Sequence, residues 1–188
     1  MARTSLNKEQ QQCLLTLAKN SIQYGLATGK PLTVNLGDFP AELTVKRATF
    51  VTLQKHGQLR GCIGILAASR PLVVDIAENA FSAAFQDPRF PPLAAHELDD
   101  LEIHLSILTP AEPIEFSSEQ DLLSQLQPTI DGLILQEGNR RGTFLPSVWE
   151  QLPEPKQFLR HLKQKAGLPS DYWSETVKVY RYHAEIIH

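Results

Sequence analysis

Hydrophobic and polar residues recur along the chain with two different periods, and these periods predict helices and strands. Asn7 and Gln10 have the spacing of a capping box, and apolar residues follow at helical intervals up to a plausible stop at Gly29. The clearest helix is predicted over residues 71–85, where two apolar lines run side by side. Pro88 ends this helix, because a proline ring disfavours helical geometry in the residue before it.

Strands are predicted where apolar and polar residues alternate or where β-branched and aromatic residues cluster. Residues 48–53 and 59–66 are two such runs, and His56-Gly57 between them supplies a turn, so we expect a β-hairpin. Residues 101–107 alternate in the same way. The other predicted elements are an extended stretch at 32–45 broken by turns, a short helix capped at 117–120 and running through 126, a second hairpin at 133–136 and 142–145, a helix at 156–166 and a last strand at 176–182.

The order of these elements predicts an α+β fold, because hairpins grouped between helices do not suit a doubly wound parallel sheet. The 188 residues suit a single domain over 1–188, or two small subdomains that share a core. No apolar run approaches the roughly 20 residues that span a bilayer, and residues 1–7 lack the apolar stretch of a signal peptide. We therefore expect a soluble, cytoplasmic protein.

Composition adds further limits on the function. Hydrophobic residues make up 42% of the chain and charged residues 21%, as in an ordinary globular protein. The net charge of −3 creates no overall field that attracts nucleic acid. Cys13 and Cys62 are expected to be free thiols, since a reducing cytoplasm disfavours disulfides. The histidines do not cluster, and the sequence contains no metal-ligand spacing, phosphate-binding loop or nucleophile elbow, so we expect no metal and no cofactor.

The run at residues 59–66 combines a cysteine, an arginine and two glycines. If no bulge interrupts the alternation, Arg60 and Cys62 are neighbours on one face, and the guanidinium would stabilise a reactive thiolate. Gly64 beside them leaves room for another backbone or a ligand. In the alternative interpretation, Cys62 is a small buried hydrophobe and the glycines mark a bulge or close packing. The same alternation places the other residues of the strand on the opposite face, which is predicted to face the core. These are Leu59, Gly61, Ile63 and Ile65.

The stretch at residues 87–92 is the second unusual feature. Three prolines in five positions make a rigid loop that holds Asp87 and Arg89 in set directions. Such a pair could bind an anion or the polar edge of a substrate, or it could tie the loop down by hydrogen bonds. Asp75 and Glu78 on the preceding helix are expected to belong to a solvated face.

Five ordered stretches of the chain resemble the AMMECR domain family: residues 59–64, 79–93, 105–114, 142–149 and 158–168. They extend over nearly the whole chain, and two of them are long. The resemblance implies an α+β fold of two intertwined subdomains, each a mainly antiparallel sheet layered with helices. It also implies an association with a Memo-like protein and a radical S-adenosylmethionine (SAM) protein. It implies no particular reaction.

Candidate site residues follow from these motifs. Cys62 and Arg60 are candidate catalytic residues, and the candidate binding residues are Asp87, Arg89, Gly64 and Asn79. The first hypothesis is an adaptor that binds the two implied partners. The second is a thiol-dependent enzyme or group carrier with Cys62 as the nucleophile, in which Asp87 and Arg89 orient the substrate. A nucleic-acid surface is the third, which the net charge disfavours, and it would combine Arg60, Arg89, Arg140 and Arg141.

Overall fold

The computed structural model describes residues 6–188 of the chain. Its helices are α1 (Lys8–Thr28), α2 (Leu72–Phe85), α3 (Glu119–Gln125) and α4 (Pro155–Lys165). Its strands are β1 (Thr49–Lys55), β2 (Gln58–Gly64), β3 (Leu101–Leu108), β4 (Glu112–Pro113), β5 (Gly132–Glu137), β6 (Arg140–Phe144), β7 (Lys178–Tyr182) and β8 (Ala184–Ile187).

The strands form two four-stranded antiparallel sheets. Their orders are β2-β1-β3-β8 and β4-β7-β5-β6. Each sheet is built around a hairpin, β1–β2 in the first and β5–β6 in the second, and a later strand pairs with the inner strand of each hairpin. The predicted α+β class with mainly antiparallel sheets is therefore confirmed.

The chain divides into two compact units. The first comprises the chain up to Leu108 together with Glu185–His188, and the second comprises Thr109–Ala184. Apolar residues of α1 and α2 pack on the inner faces of β1 and β3 to form the core of the first unit. The core of the second unit includes Trp149 and Phe158, whose stacked ring centroids lie 3.7 Å apart.

The predicted capping box begins α1. The Asn7 side chain accepts a hydrogen bond from the Gln10 N–H at 2.9 Å, and the Gln10 side chain accepts one from the Asn7 N–H at 3.0 Å. These two bonds satisfy N–H groups that have no partner within a helix. Gly29 ends the helix with a φ of 72°, a conformation that glycine adopts without a steric cost.

The predicted hairpin of β1 and β2 is present, but its register shifts near the turn. Leu53 pairs with Gly61 whereas Gln54 pairs with Leu59, so Arg60 is an extra residue without a partner on β1. One extra residue on one strand is a β-bulge, which interrupts the alternation of side chains. Side chains on the two sides of Arg60 therefore cannot be assigned to faces by counting alone.

The prediction of a fully buried inner face for this strand is wrong at its two ends. Leu59 is 43% exposed and Ile65 is 40% exposed. Gly61 in the middle is buried, and Ile63 packs against the core of the first unit. Gly61 in the middle of β2 is covered by the backbone of Ala83 on α2.

Two weaker strands were not predicted from the sequence. β4 and β8 are two and four residues long, too short for a clear alternation of apolar and polar residues. The stretch at 32–45, predicted to be extended with turns, contains short 3₁₀ helices at Leu36–Asp38 and Ala41–Leu43. Short elements of this kind depend on contacts that are distant in sequence.

Within residues 6–188, no helix combines the length and the apolar character that spanning a bilayer requires. The expectation that the N-terminus carries no signal peptide concerns residues 1–7, of which residues 1–5 lie outside the described part of the chain.

Gly61 is the point at which α2 comes closest to β2. A Cβ atom at Gly61 would lie 2.1 Å from the backbone oxygen of Ala83, and a helix backbone atom cannot move aside as the end of a flexible side chain can. We expect Gly61→Ala to lower the free energy of unfolding by about 2 kcal/mol or more. Gly37→Ala is the control, because its Cβ would meet nothing closer than Asn35 Oδ1 at 3.5 Å. Urea unfolding of both variants, followed by circular dichroism, tests this. Equal stability of the two variants would contradict the close approach.

Candidate functional site

β2 lies at the edge of the first sheet, and the loop that follows α2 covers part of its free edge. This loop, residues 87–92, is called the 87–92 loop below. The N–H of Cys62 donates a hydrogen bond to Asp87 Oδ2 at 2.9 Å, and the C=O of Cys62 accepts one from Arg89 Nη2 at 3.4 Å. The backbone of one edge-strand residue is thus paired with two side chains in place of a further strand, which protects the edge from pairing with another chain.

Asp87 accepts hydrogen bonds from four N–H donors. Its Oδ1 accepts from the backbone N–H of Arg89 at 3.1 Å and from Arg89 Nε at 3.0 Å. Its Oδ2 accepts from Arg89 Nη2 at 2.7 Å as well as from Cys62. We call these contacts among Asp87, Arg89 and the Cys62 peptide the Asp87 clasp. Asp87 is buried, and N–H groups donate all four of these hydrogen bonds to its carboxylate. The carboxylate is therefore held in its charged form and anchors the loop.

The protonation of the clasp follows from the same contacts. The Arg89 guanidinium, followed by the Cys62 and Arg89 N–H groups, holds the pKa of Asp87 well below its usual range despite burial. Asp87 in turn raises the pKa of Arg89. A carboxylate that holds its charge this strongly cannot serve as a general base near neutral pH.

The thiol of Cys62 lies on the outer face of the first sheet, away from α2. Cys62 pairs with Thr52 across the hairpin, and Thr52 alternates with the core residues Val51 and Leu53. The Cys62 Sγ lies 3.2 Å from Thr52 Oγ1, so a hydrogen bond joins the two side chains. Cys62 is half-buried and has no disulfide partner.

The prediction that Arg60 and Cys62 share one face required an uninterrupted strand, and the bulge at Arg60 removes that condition. The bulge turns Arg60 toward the 87–92 loop, where the residue is 8% exposed. Its Nε and Nη2 each donate to a Glu97 carboxylate oxygen at 3.0 Å, and Nη2 also donates to the C=O of Pro91 at 2.9 Å. The arginine near the Cys62 peptide is Arg89. Because it is buried, Arg60 adds no exposed charge to a basic surface.

Glu97 is the carboxylate that neutralises Arg60. Hydrogen bonds from Arg60, and then from the N–H of Ala94, lower the pKa of Glu97 to about 2. Lys55 also donates to Glu97, at 3.4 Å. Two cations therefore share this one half-buried carboxylate.

Phe90 lies close to both arginines of the loop region. Its ring centroid is 5.9 Å from the Cζ of Arg60 and 5.6 Å from the Cζ of Arg89, within the range of a cation–π interaction. The Nη1 of Arg60 is buried and has no hydrogen-bond partner among residues 6–188. The half-buried ring of Phe90 thus lies between one arginine held inside the protein and one that is 54% exposed.

Gly64 does not leave space for a ligand. It pairs with Phe50 across the hairpin, and a Cβ at Gly64 would lie 2.3 Å from Phe50 Cγ and 2.4 Å from the backbone oxygen of Thr49. The Phe50 ring occupies the place that a side chain would take. Gly64 therefore serves cross-strand packing, and the expectation of an open approach is wrong.

Asn79 belongs to a different cluster at the beginning of α2. Its amide nitrogen donates to Thr49 and to Asp75 Oδ2, and its oxygen accepts from Arg70. Asp75 also accepts from Thr49 Oγ1 at 2.6 Å and from Arg70 Nε at 2.8 Å. Asp75 is buried, so the expected solvated helix face is wrong at this position, and Asn79 is buried beside it. This network joins α2 to β1, and Asn79 lies apart from the Cys62 thiol.

The structure thus brings Arg60, Cys62, Asp87 and Arg89 around one loop, and it adds three residues that sequence reasoning missed: Thr52, Phe90 and Glu97. Thr52 could have been found by extending the predicted hairpin pairing by a few residues. Nothing in the local sequence distinguishes Glu97 from other acidic residues. Among residues 6–188, no three His, Cys, Asp or Glu side chains gather closely enough to hold a metal ion.

Acid should weaken the first unit through Glu97. In the unfolded chain this carboxyl titrates near 4.5, whereas in the folded protein its pKa is about 2. The folded state therefore binds fewer protons between these values, and the contribution is present above about pH 5 and lost as the pH falls toward 2. We expect Glu97→Gln to lower the free energy of unfolding at neutral pH. We also expect it to make the decrease in this free energy between about pH 5 and pH 2 smaller than in the wild type.

Urea midpoints measured across this pH range for the wild type and Glu97→Gln test the expectation. Glu102→Gln, at an exposed position of β3, is the matched control and should follow the wild-type profile. Parallel profiles for Glu97→Gln and the wild type would show that the Arg60–Glu97 pair contributes nothing to acid sensitivity.

Comparisons with known proteins agree with this architecture. The AMMECR1 family model matches residues 15–187 of the chain. A protein of Methanothermobacter thermautotrophicus is 39% identical over 190 residues, which cover 100% of this chain and 98% of that protein. A protein of Thermotoga maritima is 40% identical over 174 residues, covering 91% and 92%. The crystal structure of an uncharacterised protein from Pyrococcus horikoshii matches with a TM-score of 0.86 and 38% identity, covering 96% of this chain and 92% of that one. The chain belongs to the AMMECR1 family.

Proposed function

We propose that the protein is a cytoplasmic binding component, an adaptor, of a small modification system with a Memo-like protein and a radical SAM protein. It would act as the A component of an AmmeMemoRadiSam system. The observation that supports binding is the Asp87 clasp, which fixes the 87–92 loop against β2 and leaves Arg89 54% exposed. The partners themselves follow from the family resemblance.

A loop held in this way suits recognition. Asp87 is fully engaged with N–H donors, and three prolines restrict the backbone on both sides of Phe90. Little conformational entropy is then lost when a partner binds, which favours affinity.

The exposed composition of this region also suits a protein interface. Arg89 and the half-buried Phe90 lie beside the exposed prolines 88, 91 and 92. Aromatic and arginine side chains are enriched at interfaces and contribute much of the binding energy there. The 43% exposed Leu59 is on β2, the strand to which the loop is fastened.

Removing the outward side chains of the loop should weaken partner binding. We expect the double variant Arg89→Ala/Phe90→Ala to lower the affinity for the Memo-like or the radical SAM partner by about tenfold or more. Arg141→Ala, which removes an exposed arginine of the second unit, should leave the affinity unchanged. Co-purification followed by titration calorimetry measures this. Failure of both partners to bind the wild-type protein under several conditions would contradict the adaptor function.

A thiol-dependent enzyme or group carrier is the second candidate function. It is favoured by the half-buried Cys62, whose Sγ lies 3.2 Å from the Thr52 hydroxyl and whose peptide oxygen accepts a bond from Arg89. A hydroxyl donor and a nearby guanidinium both stabilise a thiolate, the nucleophilic form of cysteine. In this arrangement Arg89 takes the role that the sequence suggested for Arg60.

Alkylation separates the two candidates. If Cys62 is a nucleophile, iodoacetamide should modify it in the native protein faster than in the urea-unfolded chain at the same pH, and Thr52→Val should slow the native reaction. Peptide mass spectrometry quantifies both cysteines, with Cys13 of the same molecule as the internal reference. Modification of Cys62 that requires unfolding would rule out the thiol function and leave the adaptor function untouched.

A further inference from the structure

We propose that the molecules that react at Cys62 carry a negatively charged group, a carboxylate or a phosphate, which binds the outward side of the Arg89 guanidinium. This inference rests on the thiol function, the second candidate above, and names its substrate class. It depends on the distribution of charge around the 87–92 loop.

Cations exceed carboxylates among the side chains that bond to one another there. Lys55, Arg60 and Arg89 carry positive charges, and Asp87 and Glu97 carry negative charges, so three minus two leaves one positive charge. The carboxylate side chains are 2% and 13% exposed, whereas that of Arg89 is 54% exposed. Arg89 is therefore the most exposed charge of this group, and an incoming molecule contacts its guanidinium before either carboxylate.

Both arginines also retain unused donors. Arg89 binds Asp87 and the Cys62 C=O through Nε and Nη2, which leaves its Nη1 without an acceptor among residues 6–188. The Nη1 of Arg60, a residue that is more than nine-tenths buried, has no partner in that part of the chain either. The Nη1 of Arg89 belongs to an exposed side chain, so it is the donor that an incoming anion can reach, and an anion is the acceptor that a guanidinium prefers.

Other polar groups on the outer face of the sheet lie further away. Thr52 pairs with His104 on β3, and Gln54 pairs with Glu102. Glu102 is a negative charge on the same face, but it is two strands away from Cys62 and its side chain is 63% exposed to water. Asp87 and Arg89 both bond to the Cys62 backbone, and Arg89 is the exposed one of the two, so its guanidinium is the charge that an incoming molecule can contact beside the thiol.

The chemical step is a substitution at an electrophilic carbon. The thiol loses its proton to solvent, the Sγ electron pair forms a new S–C bond, and the bond from that carbon to its leaving group breaks with the electron pair on the leaving group. Arg89 holds the anionic substituent and takes no part in bond making, so it is a positioning residue. The Thr52 hydroxyl hydrogen-bonds the sulfur before the attack.

Iodoacetate and iodoacetamide test the inference, because they transfer similar groups and differ by one negative charge. In a Cys13→Ser background Cys62 is the remaining cysteine. The ratio of the iodoacetate rate to the iodoacetamide rate is measured for native protein and divided by the same ratio for unfolded protein. We expect this quotient to be about 3 or more at low ionic strength, since one charge near the sulfur is incompletely screened there.

Three variants test whether the preference is due to Arg89. Arg89→Gln should return the quotient to about 1, Arg89→Lys should keep most of it, and Arg141→Gln should leave it unchanged. If Arg89→Gln fails to fold, high salt applied to the unsubstituted protein gives the same test, because it should lower the quotient toward 1.

The outcomes distinguish the two levels of the proposal. A quotient near 1 with fast alkylation by both reagents overturns the anionic substrate class and leaves the thiol function standing. A native Cys62 that reacts with neither reagent overturns the thiol function and this inference with it. A raised quotient that survives in Arg89→Gln shows that another group attracts the anion and also overturns the inference.

Discussion

The buried carboxylate of Asp87 joins three parts of the first unit: the end of α2, the edge strand β2 and the 87–92 loop. It does so with four hydrogen bonds from N–H donors, three of which belong to Arg89 and one to Cys62. A buried charge is tolerated only when such donors compensate for the loss of water. The position of Arg89, and through it the environment of the Cys62 peptide, therefore depends on this one carboxylate.

Arg60 and Arg89 have different roles because the bulge adds one extra residue to β2 at Arg60. The side chain of Arg60 therefore departs from the alternation expected of a regular strand. The bulge at Arg60 turns that side chain into the protein, where Glu97 neutralises it and the C=O of Pro91 accepts a further bond. Arg89 remains half-exposed beside the strand edge. The buried arginine stabilises the loop from beneath, and the exposed one is available to a partner or a substrate.

α2 positions this region because it is attached to the sheet along its length. Near its beginning, Asp75 and Asn79 bond to Thr49 of β1. Near its end, the backbone of Ala83 lies directly over Gly61, which has no side chain to hold it away. Asp87 follows one turn later and completes the attachment. Because α2 is attached to the sheet at these three points, the 87–92 loop is held against β2 with little conformational freedom. A preorganised binding or reactive site requires such restriction.

Much of this could be read from local sequence, because the responsible interactions are local. The capping box of α1, the long helix α2, the β1–β2 hairpin, the rigidity of the proline loop and the α+β class all follow from residues near each other in the chain. The motif residues Arg60, Cys62, Asp87 and Arg89 were also identified as candidates in this way. The tertiary structure alone decided which of them meet. Arg60 binds Glu97, 37 positions away, and Cys62 binds Asp87, 25 positions away. A bulge of one residue reverses the direction of a side chain without leaving a clear periodic signal. Local patterns determined the elements and the candidate residues, and long-range hydrogen bonds determined that Arg89, not Arg60, lies beside Cys62.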